Sequence, residues 1–452
     1  MTLSPIPVYV INLEKRTDRK DNILKEFHGK NEFSLSIVTA FEHKQGTKGL
    51  WKTIQHIISH YAKKDDEYII ICEDDIQFST HYTPKYLHHC IQEAKAKGAD
   101  LLLGGVSWYN GHISVTSNLY WAEQFTGLHF TVIFRKFFNV ILNTSLHDPE
   151  VADYKIASLS NDVLFMYPFI ATQREFGYSD VTSLNNEPGR VEQLFNLVEE
   201  RVHKLERLSK IYQHAISTRP PSYTNLEYDS LCIPTYVINL PERTDRLMHI
   251  KSEFEGRKEF NVTVIEACKH HIGAFGLWLS IRKIVGIAME NNDDVILICE
   301  DDHQFTNSYS KEYLLQNILE AHHDGIDYLS GGTGRFDCVV PITSNRYWVS
   351  HCLSTQFIIL YKKFFTKILN EPYDESTISD LLLSSITSQK MLLYPFVSIQ
   401  KNFGYSDITP AHNEDKELIT RLFSESMNRL QHIQQAHQKY ASFRTQQISI
   451  AY

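Results

Sequence analysis

Three consecutive carboxylates, Glu73, Asp74 and Asp75, follow directly on the apolar run Ile69–Cys72, and Glu300, Asp301 and Asp302 follow in the same way on Ile296–Cys299. Adjacent acids repel one another, and a hard divalent cation relieves that repulsion. Mg2+ or Mn2+ takes oxygen ligands and commonly shares them with substrate phosphates. Acids at the end of a strand also begin turns and cap helices, and residue type alone leaves both readings open. A second constellation lies nearer the N-terminus of each half: Asn12, Arg16, Asp18 and Arg19 in INLEKRTDR, and Asn239, Arg243, Asp245 and Arg246 in INLPERTDR. Arginines in such a loop can grip phosphate bidentately, and Asp18 or Asp245 can meet a ribose hydroxyl or a base donor. A capped helix with an Arg–Asp surface pair uses the same residues. The pairs Gly104–Gly105 and Gly331–Gly332 permit either close approach of a ligand or a tight turn.

These groups recur because the chain repeats itself. Val8–Arg19 matches Thr235–Arg246, Thr116–Trp121 matches Thr343–Trp348, and Phe176–Thr182 matches Phe403–Thr409, each at an offset of 227 residues. A solenoid has a period of about 20–50 residues, so this is a duplicated domain. Pro220 and Pro221, in the polar stretch Ser217–Cys232, place the boundary. The expected organisation is a first domain over residues 1–220, a linker over 221–227 and a second domain over 228–452.

The elements that must position the acids alternate. Val8–Leu13, Leu35–Thr39, Tyr68–Cys72, Leu101–Leu103 and Phe130–Phe134 read as strands, and Lys48–Ala62 and the segment after Pro188 as amphipathic helices. Thr17 is the expected cap of the helix that follows the first strand, with Asp18 in its first turn. This α/β alternation implies a mostly parallel, Rossmann-like sheet with helices on both faces, with ligands bound beyond the carboxyl ends of its strands. That rule puts both acidic trios at the mouth of a sheet.

The net charge of −9 argues against a nucleic-acid partner held by bulk electrostatics. The seven cysteines show no C-x-x-C pair, so neither a disulfide framework nor a zinc ribbon is indicated. Cys72 and Cys299 read as small buried hydrophobes. No apolar run approaches the ~18 residues that span a bilayer, and no secretory leader is recognisable. A cytoplasmic protein is therefore expected, with peripheral membrane contact left open. None of the 22 histidines stands in H-E-x-x-H spacing. Trp121 and Trp348 suit either a sugar face or, more simply, the core.

In order and spacing, VINL-x-x-R-x-D-R, the acidic trio after an apolar strand and the late SD-[VI] resemble glycosyltransferase family 25, once per half. The resemblance implies two tandem GT-A-like domains, a UDP-sugar donor, a divalent metal (Mn2+ or Mg2+), and inverting transfer of a hexose to a hydroxyl of a glycan, protein or peptide. On that pattern the trio stands at the D-x-D-like site, with Asp75 and Asp302 as direct ligands. Arg16, Asp18 and Arg19 then lie near the nucleotide, as do their counterparts. The family's acid ahead of the closing segment falls on Asp153 and Asp380, candidates for the base that deprotonates the acceptor hydroxyl; either could equally begin a helix. Asp162 is matched by Gln389, so duplication does not support it. Asp180 and Asp407 suit closure of the fold or acceptor positioning. The chain departs from the family at GLWKTI and GLWLSI, which lack its Ser-His pair. This leaves open a single active domain beside a non-catalytic one, or a nucleotide- or glycan-binding scaffold.

Overall fold

The structure, a computed structural model, describes residues 5–178, 187–219, 228–404, 415 and 417–450, the last ten as helical backbone. The proposed linker 221–227 and the acids Asp180 and Asp407 lie outside the described residues. The chain divides into two compact units, one of Met1–Arg207 with Gln435–Tyr452 and one of Leu208–Gln434.

In the first unit the chain runs β1 (Ile6–Asn12), α1 (Thr17–Glu26), β2 (Phe33–Thr39), α2 (Gly46–His60), β3 (Tyr68–Glu73), β4 (Ile76–Phe78), α3 (Pro84–Ala96), β5 (Leu101–Leu103), β6 (Trp108–Asn110), β7 (Ile113–Ser114), β8 (Leu119–Trp121), β9 (Gln124–Thr126), β10 (Phe130–Phe134), α4 (Arg135–Leu142), α5 (Ala152–Ser158), β11 (Val163–Met166), β12 (Ala171–Gln173) and α6 (Arg190–Ser217). Its main sheet has the order β2-β1-β3-β10-β5-β11-β8-β7. β1 is parallel to β2 and β3, but β10 enters antiparallel between β3 and β5. The α/β class stands, and the sheet is mixed rather than mostly parallel. β10 is buried along its whole length, and a strand buried on both faces has the same apolar pattern in either direction.

β1 and β3 form the middle of the hydrophobic core. Val8, Val10, Ile69 and Ile70 have no exposed surface, each worth about 1.5–3 kcal/mol of burial free energy. α1 starts at Thr17, so the cap position belongs to Arg16, and no side chain caps the helix. Thr17 is thus inside the helix, one residue too late to act as its cap. Asp18 does occupy the first turn. Cys72 and Cys299 are buried free thiols.

The second unit repeats this plan. Its sheet pairs Ile233–Asn239 with Phe260–Glu266 and Val295–Glu300 in parallel, and Phe357–Tyr361 enters antiparallel beside Val295–Glu300. The offset of 227 does not extend into the long helices that follow. The buried faces of Arg190–Ser217 and Leu418–Ile450 match at 228: Phe195 packs edge-on to Phe169 as Phe423 does to Phe396, with ring centroids 6.1 and 6.4 Å apart. Among the described residues, no helix is long and apolar enough to cross a membrane.

Candidate active sites

β3 ends on Glu73, and Asp74–Asp75 form the turn into β4, which pairs antiparallel with β12. The acids are therefore a turn, and the turn lies at the carboxyl edge of the sheet. There it borders a cleft of about 810 Å³, lined also by Arg16, Arg19, Asp153, Gln173 and Phe176. The second unit has a cleft of about 760 Å³, lined by Arg243, Arg246, Glu300, Asp301, Asp302, Asp380, Gln400 and Phe403.

The three acids of each trio have different surroundings. Asp74 is buried and fully engaged: Arg19 Nη1 donates to Oδ1 at 2.8 Å and Asn12 Nδ2 to Oδ2 at 2.9 Å. Asp301 has the same partners, Arg246 at 2.9 Å and Asn239 at 2.9 Å. Asp74 and Asp301 are therefore anchors that fix the arginine loop to the turn, each of their oxygens already accepting a hydrogen bond. Asn12 and Arg19 are likewise engaged in this scaffold; Arg19 also borders the cleft, and its Nε is buried without a partner. Asn12 also donates to the Arg16 carbonyl at 3.2 Å, which shapes the loop.

Asp75 is engaged only loosely, 3.3 Å from Arg19 Nη1 and 3.5 Å from Gln173 Nε2. Burial lifts its carboxyl to about 6 against the pull of Arg19, and Asp302 rises to about 6 in the same way against Arg246. Asp302 Oδ1 is buried without a hydrogen-bond partner. Glu73 is raised well above the ordinary range, by burial and then by the neighbouring charges of Asp75, Asp153 and Asp74. Glu300 is raised to about 8 by burial and then by Asp302, against the pull of Thr355 Oγ1, which donates to it at 2.7 Å; the matching position in the first unit is Leu128. Buried, mutually repelling oxygen donors suit Mg2+ or Mn2+, which keep several waters and need one or two protein carboxylates beside substrate phosphates.

Asp153 lies in the first turn of α5 and also faces the cleft. The Gly127 N–H donates to its Oδ2 at 2.7 Å, while burial raises its pKa. Burial raises Asp380 as well; the Leu381 N–H donates to its Oδ1 at 3.0 Å, and the Ser354 backbone, at the position of Gly127, also lowers its pKa. Gly127 has φ +107°, and Ser354, at the equivalent position, has φ +121°, a conformation that side chains rarely adopt.

The glycine pairs do not border the clefts. A Cβ on Gly104 would come within 2.6 Å of the Phe130 ring, and one on Gly105 within 2.2 Å of the Ala171 carbonyl. Gly331 and Gly332 meet Phe357 and the Ser398 carbonyl in the same way. Their smallness serves the close approach of the chain to itself. Asp18 accepts from Tyr178 Oη at 3.2 Å. The guanidiniums of Arg16 and Arg19 lie 4.9 and 4.7 Å from the centre of the same ring. Asp245 occupies the matching first turn in the second unit. Trp121 and Trp348 are core aromatics that donate to Asn161 and Ser388 carbonyls.

Sequence reading missed Gln173, Arg174 and Phe176 on the cleft wall, although Gln400, Lys401 and Phe403 repeat them at the same offset. It also missed a cross-half exchange: Lys15 pairs with Glu42 at 3.0 Å, and Glu242 with Lys269 at 3.0 Å, with the signs reversed. Among the described residues one trio of metal-ligating side chains, His270, His271 and Glu375, gathers its ligand atoms within 4.8 Å. His270 Nδ1 accepts the Ile272 N–H. In that arrangement the neutral ring carries its proton on Nε2, the nitrogen 3.6 Å from Glu375 Oε1.

No protein-family model matches the chain, and neither does any curated protein, so the resemblance to glycosyltransferase family 25 rests on the motifs. Among solved structures, the A197 protein from STIV is 12% identical with a TM-score of 0.30, covering 39% of this chain and 87% of its own. Apo UDP-glucose pyrophosphorylase is 11% identical with a TM-score of 0.27, covering 43% and 82%. Its complex with UDP-glucose is 14% identical at 0.27, covering 43% and 81%. Likenesses of this strength carry no argument about activity.

Proposed function

We propose that the chain is a metal-dependent glycosyltransferase in which each unit moves a hexose from a UDP-sugar to a hydroxyl of a glycan, protein or peptide, with inversion. The observation that supports this best is the convergence of three carboxylates on each cleft, Glu73, Asp75 and Asp153 in one and Glu300, Asp302 and Asp380 in the other, each raised in pKa by burial.

In this reading Asp75 and Asp302, with Glu73 and Glu300 beside them, hold the divalent ion. When bound, that ion neutralises charge developing on the leaving diphosphate. Arg16 and Arg243 border the cleft and lie toward the nucleotide. Asp74 and Asp301 do not touch the ion; they hold the arginine loop in place. Asp153 and Asp380 take the proton from the acceptor hydroxyl as its oxygen attacks the anomeric carbon, opposite the departing UDP. Burial makes each a stronger base than an exposed carboxylate, and one backbone N–H orients each.

The test is Mn2+-dependent release of UDP from a panel of UDP-sugars by the full chain and by Asp75→Asn with Asp302→Asn. Loss of release in the double variant, with folding intact, is the expected result. Unchanged metal dependence in that variant would overturn the assignment. UDP binding without turnover across donors and acceptors would favour a scaffold.

A further inference from the structure

Around Asp74 and Asp75 the contacts to the arginine loop recur at Asp301 and Asp302; on the wall beside the candidate base the two clefts differ. In the first unit β6 and β9 form a two-stranded ribbon in which Trp108 pairs with Thr126. The next residue, Gly127, donates its N–H to Asp153. Tyr154 follows Asp153 directly, is 45% exposed and stands edge-on to Trp108, with centroids 6.0 Å apart at 75°. Both rings border the cleft. Gly127, which holds the base, thus follows the strand paired with Trp108, and the base itself directly precedes Tyr154.

The second unit keeps the ribbon and changes its surface. Arg335 pairs with Leu353 where Trp108 pairs with Thr126, and Leu381 replaces Tyr154. Arg335 is exposed and borders the cleft. The backbone beside the base nevertheless keeps its shape: Ser354 adopts φ +121° where Gly127 has +107°, and it still lowers the pKa of Asp380. A strained non-glycine conformation persists only where its surroundings impose it, and such strain gathers at functional sites. The machinery beside Asp380 is kept, and the surface next to it is rewritten.

We propose that the two clefts use one class of donor and different acceptors. The first takes a neutral saccharide whose apolar ring face lies on Trp108 and Tyr154, with the attacking hydroxyl toward Asp153. The second takes an acceptor bearing an anionic group, met by Arg335. Rigid aromatics offer large contact area at little entropic cost and suit a neutral ring face, whereas a guanidinium forks onto carboxylate or phosphate. The proposal rests on the transferase reading and adds the division of acceptors to it.

The experiment uses the full chain in two backgrounds, Asp380→Asn to silence the second cleft and Asp153→Asn to silence the first. Each is assayed with neutral and with carboxylate- or phosphate-bearing saccharide acceptors. The first background is expected to prefer neutral acceptors and the second anionic ones. Within the first background, Trp108→Ala is expected to raise the acceptor KM about tenfold while leaving UDP affinity unchanged, and Trp108→Phe to restore most of it. If Trp108→Ala unfolds the unit, Trp108→Arg with Tyr154→Leu, residues the second unit already carries, takes its place and is expected to shift preference toward anionic acceptors. Identical acceptor preferences in the two backgrounds, or an acceptor KM indifferent to these substitutions, would overturn the division. Absence of UDP binding in the unmodified chain would instead remove the transferase reading beneath it.

Discussion

Gly127→Ser and Ser354→Gly exchange the residues at one backbone position between the two units, and their outcomes should differ. Gly127 has φ +107°, and an added Cβ would lie 3.0 Å from His129 Nδ1 and 3.4 Å from the Ser107 nitrogen. A side chain held at such a φ costs on the order of 1–3 kcal/mol, and the crowding adds to it. Removing glycine's freedom from the unfolded chain returns about 0.5–1 kcal/mol, so Gly127→Ser should cost roughly 1–2 kcal/mol. In Ser354→Gly the same strain is relieved. The lost bond from the Gly334 N–H to Ser354 Oγ, 3.2 Å long, offsets about 1 kcal/mol, and the entropy of glycine offsets most of the rest. That substitution should therefore fall within about 1 kcal/mol of neutral. Each kcal/mol moves the melting temperature of a unit this size by about 2–4 °C, so calorimetry on the full chain reads both. Activity adds a second readout, because moving the Gly127 amide frees Asp153; Gly127→Ser should then lose transfer to the first cleft's acceptors beyond what its stability explains. A Gly127→Ser chain as stable and active as the original would show that the position carries no strain and that the persistence of Ser354 says nothing about the second site.

Asp74 and Asp75 are adjacent and should separate cleanly. Asp74→Ala leaves the buried Arg19 without its closest partner and is expected to cost about 3–5 kcal/mol in denaturant unfolding, whereas Asp75→Ala relieves repulsion, costs less, and abolishes stabilisation by Mn2+. His129 is fully buried, and burial holds it near 4 against its ordinary 6.5. The unfolded chain then binds the proton first, and stability falls as pH drops from 6.5 toward 4, by about 3 kcal/mol in all. His129→Gln, which installs the residue found at position 356, should flatten that fall in acid melts. Asp75, Asp302 and Glu300 are shifted the other way, to about 6, 6 and 8. The folded chain binds their protons first, so the chelated protein should gain stability as pH falls from 8 toward 5, and Mn2+ should stabilise it more at pH 8 than at pH 6.

What the sequence revealed, and what it hid, follows from which interactions leave a local trace. The duplication needed no structure, and it carried the acids, the arginine loop and Asp153 with Asp380 to their places, because strand ends and turns are set by neighbours in the chain. The direction of β10 left no trace, since five buried residues have one pattern whichever way they run. The distinction between Asp74 and Asp75 was hidden for a different reason: it depends on Asn12 and Arg19, more than fifty residues away, meeting one carboxylate and only grazing the next. For the glycine pairs a close approach was foreseen but its partners were not; they are the chain's own Phe130 ring and β12 backbone. Trp108 and Tyr154 were passed over because each is a single aromatic with no matching partner in the other half. A search for repeats finds what duplication preserved and by construction discards what it changed. If the two clefts share their chemistry and differ in their acceptors, the positions that decide between acceptors are the ones the repeat fails to match, and Arg335 against Trp108 is where to look first.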